Sequence, residues 1–267
     1  MLSGDKLRFS YPRAQTRAPV VHDISLSIDR GSVVSVLGPN GSGKTTLLKL
    51  LAGVLRPSNG VVRLDGADIA AMSRAAIARR IAVVPQETHP AFEYTVLEMV
   101  LMGRYPHLRP FQLEGPDDIR LAREALASTG TAALESRGFD TLSGGEKQRV
   151  VIAVALAQAS DILLLDEPTA SLDLAYQLEI AALVRRLNRE RGVTLVLSTH
   201  DLNLAAAVSD RVMLLAGGRV LATGATADVL TPENIARTFE VEADVALHER
   251  AGHLVVVPLQ RRPESEL

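Results

Sequence analysis

Eight residues, GPNGSGKT from Gly38 to Thr45, combine three glycines with two hydroxyls and a lysine at the spacing G-x-x-x-x-G-K-[ST]. Glycines placed this way let backbone N–H groups turn inward, which makes a cradle for phosphate oxygens. The stretch follows the apolar run VVSVL and opens a helix at Lys44, the context this chemistry requires. A helix N-terminus at that point adds positive potential. Lys44 is suited to reach the outer phosphates, and Thr45 to offer a hydroxyl to Mg²⁺. The pattern predicts a magnesium-nucleotide site made by Gly38, Pro39, Asn40, Gly41, Ser42, Gly43, Lys44, Thr45 and Thr46.

A second stretch, DILLLDEP (161–168), sends two carboxylates out of the end of an apolar strand. Ligands of open α/β sheets bind at the carboxyl ends of strands. Asp166 is suited to the Mg²⁺ shell and Glu167 to polarising an attacking water, a general-base role that typically contributes about 10²–10⁴-fold. A third stretch, LSGGEKQR (142–149), has Ser143 and Glu146 at the spacing of a capping box, yet its first helical positions are Gly144 and Gly145. Each glycine in a helix costs about 1 kcal/mol relative to alanine, and a cap requires neither. Two glycines at a helix N-terminus, with Ser143 as a further donor, suit a second anion site. The loop at Gly38 already surrounds the phosphates from one side, so this second site must face a different one.

LSGGEKQR, together with the other two stretches, resembles the motif set of the ATP-binding cassette ATPases. The resemblance covers roughly residues 6–240. It implies that two chains sandwich two ATP molecules head to tail, with Ser143, Gly144 and Gly145 of one chain covering the nucleotide held by the other. It also implies roles for residues outside the three stretches. Gln86 in VVPQE matches the glutamine that joins Thr45 and Asp166 around Mg²⁺, partly through water. Ser171, Leu172 and Asp173 match the loop that meets the second cassette. His200 in LSTHD matches the histidine on the γ-phosphate, and is grouped with Glu167 and Lys44 as catalytic. Tyr11 in FSYP matches the aromatic that stacks on adenine. YTVLEMVLMGRYPHL (94–108) and TPENIARTFEVEADV (231–245) resemble the bacterial subfamily that energises import of iron chelates (siderophores), haem and cobalamin. The resemblance therefore implies a peripheral ATPase on the cytoplasmic face of the membrane. It would work with separate permease subunits and, indirectly, a periplasmic or surface binding protein. The apolar stretch 92–102 is the expected docking groove for the permease. A soluble ATPase of iron–sulfur assembly is the alternative that motifs alone leave open.

These residues need an α/β scaffold, and the apolar patterning predicts one: a P-loop core with a mainly parallel sheet. The runs 33–37, 81–85, 162–165 and 194–198 read as strands buried on both faces. Residues 47–55, 178–191 and 202–208 read as helices between them, and 87–159 as an inserted helical subdomain. The first thirty residues and 60–64 alternate apolar with polar, which predicts an antiparallel side sheet. The expected division is a nucleotide-binding domain over 1–240 and a short C-terminal extension and tail over 241–267.

The 267 residues are 47% hydrophobic but only 3% aromatic, as expected of a core built from Leu, Val, Ile and Ala. A net charge of −2 gives no basic field for nucleic acid, and the absence of cysteine excludes thiolate metal sites. His89, His107, His248 and His253 are scattered and read as polar surface. Neither a leader sequence nor a membrane-spanning run is expected. The first testable consequence concerns Lys44. Lys44→Ala removes a charged hydrogen bond to phosphate, so ATP affinity should fall by about 1.5–3 kcal/mol in a calorimetric titration. An unchanged dissociation constant would remove the phosphate-loop assignment.

Overall fold

Alternation of apolar and polar residues builds one sheet, and unbroken apolar runs build another. The computed structural model describes residues 1–12, 19–170 and 172–261. In chain order the elements begin with β1 (Leu2–Phe9), β2 (Val21–Ile28), β3 (Val33–Leu37), α1 (Lys44–Leu51), β4 (Asn59–Leu64), β5 (Ala67–Asp68), α2 (Arg74–Ala78) and β6 (Ile81–Val84). Next come α3 (Val96–Leu101), α4 (Pro116–Ser128), α5 (Gly144–Ala157), β7 (Ile162–Asp166), α6 (Leu174–Arg191), β8 (Thr194–Thr199) and α7 (Leu202–Val208). The chain continues through β9 (Arg211–Ala216), β10 (Arg219–Ala225), α8 (Thr226–Val229), α9 (Pro232–Phe239), β11 (Val241–His248) and β12 (His253–Arg261).

The alternating segments form an antiparallel sheet in the order β2-β1-β4-β5, and the apolar runs a six-stranded sheet in the order β10-β9-β3-β8-β7-β6. Within the larger sheet every pairing is parallel except β10 with β9. Its central strands β3, β7 and β8 are buried on both faces, and successive residues serve different cores. Ile162 and Leu164 pack with Leu47 and Leu50 of α1, while Leu163 and Leu165 pack with Leu183 and Leu187 of α6.

Parallel pairing brings the carboxyl ends of β3, β6, β7 and β8 to one edge. Leu37 is level with Thr199, Asp166 with Ser198, and Val84 with Leu165. The loops that leave this edge carry the phosphate loop and the paired carboxylates.

Two helices differ in extent from the expectation. α1 stops at Leu51 rather than Leu55 because Gly53 takes a left-handed φ of 68° and Val54 N–H folds back on Lys49 O at 2.9 Å. α6 starts at Leu174 rather than Leu178 because the Asp173 side chain caps it, accepting from Tyr176 N–H at 3.1 Å. β11 and β12 pair with each other. Asn203 of α7 anchors this hairpin, donating to Val256 O at 3.1 Å and accepting from Val256 N–H at 2.8 Å. Among the described residues no helix is long and apolar enough to cross a membrane.

The helices of segment 87–159 are tied by a buried ion pair. Arg104, which follows α3, donates to Asp118 of α4 at 2.9 Å and to Ala157 O at the end of α5 at 2.6 Å. Asp118 also accepts from Gly115 N–H at 3.0 Å, capping its own helix. The Arg104 guanidinium, then the Gly115 N–H, hold the Asp118 carboxyl below the usual carboxylate range. Because the folded-state value is depressed, this stabilisation is complete above the unfolded value of about 3.9 and is lost as pH falls through the folded value. Asp118→Asn should therefore destabilise the chain by about 3 kcal/mol at pH 7 in urea unfolding, since it leaves Arg104 buried without its partner. The deficit should shrink below about pH 4. A deficit that is the same at both pH values would contradict this role.

Candidate nucleotide site

The loop after β3 closes around Lys44. Its Nζ donates to Gly38 O at 2.9 Å and Pro39 O at 3.1 Å, which holds the turn and leaves the ammonium 5% exposed. Gly43 is needed twice over: its φ is 102°, and a Cβ there would lie 2.7 Å from Val20 O. Ser42 Oγ is buried and has no partner among the described residues, so a hydrogen-bonding group is expected to meet it.

At the end of β7, Asp166 is 7% exposed. Its Oδ1 accepts from Thr45 Oγ at 3.0 Å and from the Ser198 hydroxyl of β8. Thr45 and Asp166 thus converge, and with Gln86 they make an all-oxygen donor set of the kind Mg²⁺ prefers. The residues present fit the ion.

Glu167 has a φ of 47°, a left-handed conformation that a non-glycine residue adopts only when its surroundings enforce it. Here the N–H of Glu167 is held by Ser198 O at 3.0 Å and Ser198 Oγ at 3.1 Å. The carboxylate points between two bases, 3.2 Å from Lys44 Nζ and 2.9 Å from His200 Nδ1. A cavity of ≈ 450 Å³ collects Val20, residues 40–46, Gln86, Glu167, Ala170 and His200. The expected catalytic and metal residues are therefore gathered at one place from four loops.

Tyr11 stands beside them, 38% exposed, its hydroxyl 3.2 Å from Thr46 Oγ1 and its ring edge-on to Phe9 at 4.9 Å. Leu172 is half-buried and Asp173 caps α6; Ser171 lies outside the described residues.

Ser143, Gly144 and Gly145 do not line this cavity. They open α5, where Ser143 and Glu146 form the expected capping box, and the Ser143 N–H holds the Glu146 carboxyl below its usual range. Ser143 and Gly144 are exposed, whereas Gly145 is buried. The stretch 92–102 expected to dock the permease is divided: Phe92 is exposed, but three of its apolar residues are not available to a partner. Val96, Met99 and Val100 are 0%, 5% and 0% exposed and belong to the core, because this face of α3 packs on α4 and α5. Exposed apolar surface also lies at Val54 and Val83, which line a cleft of ≈ 320 Å³ with Arg74, Ile77 and Gln158.

Ser198 carries no motif of its own. The available signal is a polar residue in a strand otherwise buried on both faces. It bonds both carboxylate residues, so Ser198→Ala removes one hydrogen bond from Asp166 and one from the Glu167 backbone. The expected loss in urea unfolding is about 1–3 kcal/mol, the worth of one charge-assisted and one neutral hydrogen bond, since Asp166 keeps Thr45 and the Glu167 N–H keeps Ser198 O. An unchanged midpoint would show that neither bond matters.

The sequence pattern of the ABC transporter family matches residues 21–170. A haemin import ATP-binding protein of Gloeobacter violaceus is 46% identical over 250 residues, 90% of this chain and 89% of that protein. A cobalamin import ATP-binding protein of Halobacterium salinarum is 44% identical over 247 residues, 92% of this chain but only 61% of that longer protein. Among solved structures, an inward-facing metal-chelate type ABC transporter superimposes with a TM-score of 0.83 at 33% identity, covering 97% of this chain and 96% of that one. With the phosphate loop, the paired carboxylates and the signature helix all in place on this fold, the chain belongs to the ABC transporter family.

Proposed function

We propose that this chain is the ATP-hydrolysing subunit of an ABC importer, energising uptake of an iron chelate, haem or cobalamin through separate permease subunits. The observation that carries the ATPase reading is the convergence of Lys44, Thr45, Glu167 and His200 on one cavity, with Asp166 bonded to Thr45 at its edge. The class of cargo is supported by the import proteins and the metal-chelate type transporter that the chain resembles over most of its length.

The chemistry follows from the positions of these groups. The backbone of residues 38–43 and the Ser42 hydroxyl bind phosphate oxygens. Tyr11 flanks the adenine. Thr45, Asp166 and Gln86 hold Mg²⁺, which when bound neutralises charge on the phosphates. Lys44 now divides its charge between two carbonyls and Glu167. A γ-phosphate oxygen competes for that ammonium and releases the carboxylate toward water. Glu167 then accepts a proton as the water oxygen bonds to the γ-phosphorus, and the bond to the β–γ bridging oxygen breaks to leave ADP. His200 donates from Nδ1 to Glu167 before nucleotide binds, and once the carboxylate turns to water its N–H is free to donate to the γ-phosphate.

The exposed Ser143 and Gly144 do not line this cavity in their own chain, which supports their use on a second copy and so an ATP-sandwich homodimer. Membrane association at the cytoplasmic face would come through the permease, for which the cleft at Val54 and Val83 is the apolar seat.

Glu167→Gln tests the reading. Steady-state hydrolysis should fall by at least about 10²-fold. ATP binding should persist, and an ATP-bound dimer should accumulate in light scattering. Retention of more than about a tenth of the wild-type rate would contradict a general base of this size.

A further inference from the structure

The two glycines at the start of α5 occupy different surroundings. Among the described residues, a Cβ built on Gly144 would meet only Leu172 Cδ2, at an ordinary 3.6 Å. A Cβ on Gly145 would fall 2.2 Å from Cδ1, 2.5 Å from Cγ and 2.6 Å from Cε1 of Tyr176 in the same chain. Spinning the ring cannot relieve this, because Cγ lies on the spin axis and moves only with the first side-chain torsion. The ring would have to leave its slot. One turn further along α5, Arg149 stands over the same ring, 5.6 Å from its centroid, and pairs with Glu179 of α6. Residues 145 and 149 of one helix thus grip residues 176 and 179 of the other, each pair on one helix face. The Tyr176 N–H is held by Asp173, and Leu172 Cδ2 lies 3.6 Å from where a Cβ on Gly144 would stand. The loop 172–173, the first turn of α6 and the head of α5 are one packed unit.

We propose that Tyr176 is a positioning residue that locks the Ser143–Gly144 anion site to the loop at Leu172–Asp173. Both surfaces are then presented to a second copy at a set spacing. Gly145 is a glycine to admit the Tyr176 ring, and Gly144 is the glycine left open to a phosphate. The functional half of this proposal rests on the sandwich reading above; the packing half does not.

Thermal unfolding without nucleotide tests the packing half alone. If Gly145 served only a phosphate brought by a partner, Gly145→Ala would raise the midpoint, since alanine is the better helix former. With the ring in place it should lower the midpoint by at least about 2–4 °C, and Gly144→Ala should not lower it. In a Tyr176→Ala background, Gly145→Ala should lose its effect. The comparison of Gly144→Ala with Gly145→Ala needs no change at Tyr176, so it decides the matter even if Tyr176→Ala does not fold.

Hydrolysis tests the functional half through the same double-mutant cycle. Gly145→Ala should lower kcat by about tenfold or more, on the scale of a small misplacement of catalytic groups, while nucleotide affinity of the monomer is preserved. In the Tyr176→Ala background it should cost little further, and Tyr176→Phe, which keeps the ring, should restore what Tyr176→Ala loses. A raised midpoint for Gly145→Ala, or equal effects of it in both backgrounds, overturns the proposal. A wild-type chain that neither hydrolyses ATP nor dimerises with it sinks the sandwich reading instead, and the midpoints still decide the packing.

Discussion

One carboxylate oxygen, Asp166 Oδ1, joins three elements of the site. It takes hydrogen bonds from Thr45 at the head of α1 and from Ser198 on β8, and Asp166 itself ends β7. These bonds exist because β3, β7 and β8 are parallel neighbours in register, so their ends come level. A hydroxyl pair around a nearly buried carboxylate satisfies a charge that would otherwise be expensive to desolvate. The same pair sets the spacing between the phosphate loop and the carboxylates. Any rearrangement of the sheet edge would break it, and with it the geometry on which nucleotide chemistry depends.

The next layer is electrostatic. Glu167 is held in a left-handed backbone conformation by Ser198 and is clasped by Lys44 and His200. Without nucleotide its charge is compensated by the lysine that the phosphates also need. Competition for that one ammonium links the presence of a γ-phosphate to the freedom of the general base. Strain at this residue is tolerable because two backbone bonds and the β8 strand over-determine its position.

Away from the cavity, segment 87–159 presents the head of α5 on the surface, anchored at two places. Arg104 and Asp118 hold its helices to each other. Tyr176 and the Arg149–Glu179 pair hold the head of α5 to α6. The first contact makes the segment rigid; the second attaches it to the loop that follows the carboxylates.

Much of this was legible in the residues themselves. The phosphate loop, Asp166, Glu167, the capping box at Ser143 and the doubly buried strands are local signals, because each depends on spacing within a few residues or on hydrophobic period. The extents of α1 and α6 were less legible, since a left-handed Gly53 and an Asp173 cap shift helix ends without changing the apolar pattern. Three features belonged to tertiary structure alone. Ser198 matters because β8 lies beside β7. Val96 and Met99 are buried because α3 packs on α4 and α5, whereas an apolar run by itself says nothing of which face is covered. Gly145 answers to Tyr176, thirty-one residues away in sequence, and no local rule relates them. Spacing along the chain determined which chemistry is present; pairing across the fold decided which side chains hold that chemistry in place, because contacts between distant residues leave no periodic trace in the sequence.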